Sequence, residues 1–235
     1  LAEPDTYTVL MGDTFDFART HFRRHLRAYG DDENSVEAID EWVRHDVREL
    51  AGLLEPVKSR ILGVVCGNHH HRFLDTTNTE QYLCQVLGLP YLGAMGVLRL
   101  DVRGKSRAID RIRVYAHHDG GTHGGRTHGG DINALMRQQD VVQADIYLLS
   151  HTHDTYGKKW PQRVVTDTTP PRIVTRTRAF ARTGCFRRGK VYEATVNSGD
   201  NPDYAVKAAY PPRQAGYVEI SLSWSEGHRN MRLSW

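Results

Sequence analysis

The chain has little cysteine and no long apolar run. Its three cysteines, Cys66, Cys84 and Cys185, make no paired framework. That excludes the disulfide-scaffolded secreted class and points to a reducing compartment, expected to be cytoplasmic. The most apolar window, Val86 to Leu98, is broken by Gly88, Pro90, Gly93 and Gly96, so no stretch spans a bilayer and no membrane partner is expected. No signal-peptide pattern is visible, and there is no repeat and no long linker. The Gly-rich run Asp119 to Gly130 lacks the Gly-Lys-Ser/Thr ending of a P-loop. Neither sign of charge dominates: 31 Lys+Arg against 28 Asp+Glu leave +3. A phosphate-bearing or nucleic-acid partner is compatible with that balance but not demonstrated by it. What remains, 39% hydrophobic and 25% charged residues, is the composition of a folded chain rather than a disordered one.

The chemistry collects at strand ends. Ile61 to Cys66 has the length and β-branched content of a buried strand, and it runs into Gly67-Asn68-His69-His70-His71. Tyr7-Thr-Val-Leu-Met runs into Gly12-Asp13, with Asp16 beyond. Ile112 to Ala116 runs into His117, His118 and Asp119, and Ile146 to Ser150 runs into His151-Thr-His153. Open α/β sheets place their active sites beyond such strand ends. Four of them delivering Asp, Asn and His to one rim is the pattern of a metal site assembled across a sheet.

Between these ends the chain alternates strands and helices. A helix is expected from about Val36 to Leu54, with Val36, Ile39, Val43, Val47, Leu50 and Leu54 on one stripe. Asp31 to Ser35 supply its capping residues and Pro56 ends it. Thr79 to Leu87 reads as a second helix, closed by Gly88. Met95–Val102 and Ile109–Ala116 read as paired strands. Ile132 to Gln143 reads as a helix capped by Asp131. After Lys158 the pattern turns to strands: Val164-Val165, Arg172–Thr177, Lys190–Glu193 and Tyr217–Trp224, with a short helix at Tyr204–Ala209. One domain over residues 1–235 is expected, with residues 1–157 carrying the site and residues 158–235 forming a mainly β part packed on it as a second sheet.

Taken in order, Gly12-Asp13-x-x-Asp16, Gly67-Asn68-His69, His117-His118 and His151-x-His153 resemble the calcineurin-like metallophosphoesterase superfamily, over roughly Tyr7 to Asp154. The tail Thr183-Gly-Cys-Phe, Asp203-Tyr204-Ala205 and Tyr210-Pro-Pro is similar to phage-encoded members. The resemblance implies a mixed α/β fold, a two-sheet sandwich flanked by helices, and a centre of two divalent cations. In that scheme Asp13 bridges the ions, Asn68, His118 and His151 bind one of them, and His153 binds the other. Of the adjacent His117 and His118, either could be the ligand; the family's usual position favours the second. Mixed oxygen and nitrogen ligation suits manganese first, with iron, zinc or nickel as alternatives. The ions would give hydroxide near neutral pH and clamp the phosphoryl oxygens. His69 would protonate the leaving alkoxide, oriented by Asp16.

Departures from the family pattern carry information too. No Asp-x-His block precedes Asp13, so either an upstream strand is missing from this sequence, which is the favoured expectation, or one of the two metal sites is crippled. His70 stands where an acidic residue is usual, and Ser150 where Gly is usual. The Arg that follows Gly-Asp-x-x-Asp in protein Ser/Thr phosphatases is Phe17 here. Its absence points to a phosphodiesterase or nuclease, in a bacterial or phage-infected cell. The competing class is a binding or structural component of a phage or nucleic-acid complex that keeps the fold without the activity. A small-metabolite monoesterase is a third reading. His70 and His71 read as solvated or supporting residues, and Arg126 in the Gly-rich loop as a candidate phosphate contact.

Overall fold

Alternating burial along short strands decides the architecture of this computed structural model, which describes residues 5–15, 33–104, 108–118, 128–152, 155–166, 168–184, 216–225 and 228–235. Helix α1 (Glu33–Leu54) follows the short strand β1 (Thr8–Leu10). Its Val43, Val47 and Ala51 recur every four residues and are buried, so a single stripe faces inward. A 3-10 turn, Glu55–Arg60, feeds strand β2 (Ile61–Val64). Helix α2 (Thr79–Leu87) starts at Asn78, whose side chain accepts from the Gln81 N–H, and stops at Gly88 with φ 68°, the left-handed conformation that glycine tolerates. Leu83 and Leu87 of α2 pack with the α1 stripe and Phe73 into one core.

Strands β1 and β2 pair in parallel. On its other side β2 is met by the segment 90–94: Val64 N–H donates to Pro90 O at 3.0 Å, Leu92 N–H to Val64 O at 2.9 Å and Cys66 N–H to Gly93 O at 2.7 Å. That segment runs on into β3 (Met95–Arg103), the edge of the main sheet. The main sheet continues with β4 (Ala108–His117), β5 (Ile146–Leu149), β6 (Thr155–Val165) and β7 (Ile173–Thr183), in the order β3-β4-β5-β7-β6. β4, β5 and β7 are parallel, and the two outer pairs are antiparallel. Ile146, Tyr147 and Leu149 of β5 are all buried, as a central strand covered on both faces requires.

One face of the sheet presents Tyr115, Tyr147, Leu149 and Phe180, which pack with Leu135 of helix α3 (His128–Val141). The Tyr147 and Phe180 rings stack at 4.8 Å. The other face presents Ile112, Val114, Ile146 and Ala179 to Met231 and the apolar residues of the hairpin β8 (Glu219–Ser225) and β9 (His228–Ser234). Neighbouring residues in each strand point to opposite cores, the period-two rule of a pleated strand. The result is a mixed α/β fold with a two-stranded sheet laid over a five-stranded one, in line with the sandwich expected from the sequence. Arg229 fixes the hairpin by reaching Asp110 at 2.8 Å and Asp145 at 3.1 Å.

Several elements differ in extent from the sequence reading. Val164-Val165 and, of Arg172–Thr177, the residues from Ile173 on are the outer ends of β6 and β7, which pair along eleven residues each. The alternating Thr and Arg mark only the exposed portion of β7; its buried portion is Ala179-Phe180-Ala181-Arg182. These two strands extend the main sheet rather than the second one. Helix α3 begins at His128, so Asp131 falls in its first turn instead of before it. Lys190–Glu193 and Tyr204–Ala209 lie outside the described residues. Among the described residues no helix is long and apolar enough to cross a membrane.

Candidate metal centre

The ends of β1, β2, β4 and β5 are drawn to one rim by backbone contacts. Val65 N–H donates to Leu10 O at 2.8 Å, and His118 N–H to Ala94 O at 3.3 Å. The Met11 carbonyl, just past β1, receives the Ser150 hydroxyl at 2.6 Å and lies 2.7 Å from His118 Nδ1. Two chain segments, each more than a hundred residues beyond Met11 in sequence, are thereby held at its carbonyl.

The approach of β1 to β2 is close enough to require glycine on both sides. A Cβ on Gly12 would stand 2.7 Å from the Gly67 nitrogen and 2.7 Å from His118 Nδ1; a Cβ on Gly67 would run into the Asp13 backbone nitrogen and carboxylate. Gly12 also has φ +84°, outside the range of ordinary side chains. Two further residues at the rim, Asp13 (φ 49°) and His151 (φ 72°), hold left-handed conformations without being glycine. Such strain persists only where surrounding structure imposes it.

Four side chains meet here. His118 Nε2 lies 3.1 Å from Asp13 Oδ2 and 3.0 Å from Asn68 Oδ1, and His151 Nδ1 lies 3.1 Å from the same Asn68 oxygen. One ligand atom from each of Asp13, His118 and His151 falls within 4.8 Å of the others. A proton on His118 Nδ1, donated to the Met11 carbonyl, leaves the lone pair of Nε2 facing Asp13 and Asn68. That is the tautomer a metal-binding histidine needs, and the backbone carbonyl is a usual partner for its other nitrogen. Burial pushes the Asp13 carboxyl up. A proton on His118 Nε2, the one that an ion would displace, gives Asp13 a hydrogen bond and a neighbouring charge; these, with the His69 backbone N–H donating to Oδ1 at 2.9 Å, outweigh burial and hold the carboxyl below its ordinary value. Asp13 is therefore a carboxylate at neutral pH.

The neighbouring histidines divide by strand parity. His117 shares its side of β4 with Tyr115, and its Nδ1 lies 2.9 Å from the Tyr115 hydroxyl. His118, next along, is the one whose ring reaches Asp13 and Asn68. His71 turns away from the rim: its Nε2 meets Asp40 of α1 at 2.6 Å, and the same carboxylate accepts from Leu74 N–H at 2.9 Å. It is partly buried and pins the loop to the helix, in keeping with a supporting rather than a solvated residue. Asp16, Arg126 and His153 lie outside the described residues. Sequence reasoning passed over Ser150 as a mild exchange for glycine. Its hydroxyl lies 2.8 Å from His118 Nδ1, and its carbonyl is held by the buried Arg182 at 3.1 Å.

No protein-family model matches the chain, and no curated protein does. Among solved structures it is similar to wild-type Vps29 from Entamoeba histolytica complexed with zinc, at 12% identity over 77% of this chain and 87% of that one, with a TM-score of 0.33. Vacuolar Protein Sorting 29 from Cryptosporidium parvum is similar at 14% identity over 78% of this chain and 74% of that one, with a TM-score of 0.27. Likenesses this slight carry no weight for the site, which stands on its own geometry.

That geometry fits a cation. A carboxylate oxygen, an amide oxygen and two imidazole nitrogens converge, all lone-pair donors, beside the close approach that Gly12 and Gly67 permit. Acceptors facing one another without a shared proton or ion would repel. The set suffices for one divalent ion of the manganese, iron, zinc or nickel type.

Proposed function

We propose that the chain is a metal-dependent phosphoesterase acting on phosphodiesters, with nucleic acid the leading substrate class. The observation that carries this reading is the convergence of Asp13, Asn68, His118 and His151 beyond four strand ends. In the proposal Asp13, Asn68, His118 and His151 would hold one ion, and Asp13 and His153 would contribute to holding a second. Bound divalent ions supply Lewis acidity towards water and the phosphoryl oxygens. The protein supplies the rest. Asp13 brings the negative charge that retains the ions, and Gly12 and Gly67 let backbone and substrate approach. His69, whose N–H is fixed on Asp13, delivers a proton to the leaving oxygen, with Asp16 as its orienting partner.

The test is hydrolysis of bis-p-nitrophenyl phosphate by the full chain with manganese. Turnover should vanish on chelation and in Asp13→Ala, and should fall by about 10²–10⁴ in His69→Ala. A better rate on p-nitrophenyl phosphate would make the enzyme a monoesterase. Tight manganese binding without any turnover would overturn the enzymatic reading in favour of a binding or structural component.

A further inference from the structure

At the root of the same loop lies a second cluster that the hydrolytic centre does not use. Cys66 closes the β2 run, His70 follows four residues later, and Glu80 sits in the first turn of α2. A sulfur, a ring nitrogen and a carboxylate oxygen from these three lie within 4.8 Å of one another. We infer that Cys66, His70 and Glu80 form a divalent-cation site of the zinc class, distinct from the Asp13 centre.

Three observations carry it. First, Glu80 is fully buried. Thr79 satisfies its Oε2 at 2.9 Å, while its Oε1 is buried with no hydrogen-bond partner. A buried carboxylate oxygen without a partner is costly unless something fills that role. Second, the spacing suits the ion. Cys66 Sγ lies 3.5 Å from His70 Nδ1, close to the edge of a tetrahedral zinc site, roughly 3.6 Å for ordinary Zn–S and Zn–N bonds; both atoms now face the Gly67 carbonyl, at 3.2 and 2.7 Å, and an ion would displace those two hydrogen bonds. Third, the surroundings favour a thiolate. Asn78 Oδ1 is fixed by the Gln81 N–H at 2.8 Å, which turns its Nδ2 towards Cys66 Sγ at 3.4 Å and the Tyr91 hydroxyl at 2.8 Å. An N–H aimed at a ligating sulfur is the supporting contact expected around bound zinc.

Charge also balances. One thiolate, one carboxylate and one neutral imidazole cancel a divalent ion, so the loaded site is neutral overall in a largely buried place. The ion replaces the protons that Cys66 Sγ and His70 Nδ1 now direct at the Gly67 carbonyl, 3.2 and 2.7 Å away; both are released to solvent on binding, which leaves a thiolate and a neutral imidazole. Three protein ligands leave a fourth position for water. A cation here would tie the start of α2 to the loop that presents Asn68 and His69. The inference does not depend on hydrolysis.

Cobalt(II) added to the metal-free full chain tests it, because the Asp13 centre contains no sulfur. The expected result is a sulfur-to-cobalt charge-transfer band that is lost in Cys66→Ser, weakened about tenfold or more in Glu80→Gln, and retained in Asp13→Asn. Zinc should also slow alkylation of Cys66 in the unmutated chain by about tenfold or more, read by peptide mass, which needs no variant to fold. Absence of the band, its survival in Cys66→Ser, indifference to Glu80→Gln, or an unchanged alkylation rate would each overturn the proposal. Loss of manganese-dependent turnover in Asp13→Asn with the band intact would separate the two sites.

Discussion

At the scale of single residues, two glycines matter as much as the ligands. Gly67 is needed because its backbone touches Asp13. Gly67→Ala should therefore push β1 and β2 apart, at a cost of about 1–3 kcal/mol in stability. Manganese affinity should fall with it, since the carboxylate moves off the rim. Thermal melts and metal titration of the variant check both effects. Loss of stability with unchanged affinity would mean that the strand approach does not position Asp13. The glycines were legible in the sequence only as punctuation before Asp13 and Asn68. Their contact joins residues more than fifty apart, and no local pattern reports it. The choice between His117 and His118 has the same character. Parity along β4 separates them, but which parity faces the rim depends on what packs against the strand.

At the scale of elements, α1 and the loop that follows Asn68-His69 form one unit. Arg44 of α1 pairs with Asp75 at 2.7 Å and lies over the Phe73 and Tyr82 rings at 4.2 and 4.6 Å. Asp75 also accepts from the Thr77 hydroxyl and N–H, and these bonds, with Arg44, hold its carboxyl down at about 2. The sign follows from a lowered folded-state value. The stabilisation is complete above the ordinary carboxylate value of 3.8 and is lost as pH falls through about 2. Asp75→Asn should thus be less stable than the parent at neutral pH, with the gap closing as the solution is acidified across that window. Denaturant titrations at several pH values measure it; a gap independent of pH would contradict the assignment. The pair is exposed, so the effect should be small and weaker in salt. Helix α1 was readable from its stripe of Val43, Val47 and Leu50, because a periodic apolar face survives any tertiary context. Its ties to the loop were not, since Asp40 and His71 are 31 residues apart.

At the scale of the whole molecule, the sheet is covered by α3 on one face and by the β8–β9 hairpin on the other. Met231 is the buried centre of the hairpin's contact, so Met231→Ala should cost about 2–5 kcal/mol. At temperatures where the variant stays folded, metal binding should be intact, because the hairpin touches the sheet's face and not its rim. Loss of metal binding in a folded Met231→Ala would show that the two are coupled. The order of strands, β3-β4-β5-β7-β6, was only partly legible. Strand ends rich in Asp, Asn and His announced the rim, yet the Thr and Arg alternation concealed that β7 runs on into the centre of the sheet. The central claim is that Asp13, Asn68, His118 and His151 jointly bind a cation. Crystals of the full chain grown with manganese test it most directly, through the anomalous difference map. The account predicts a peak within bonding distance of all four side chains; a map with no peak there, or with manganese held only elsewhere, would contradict it.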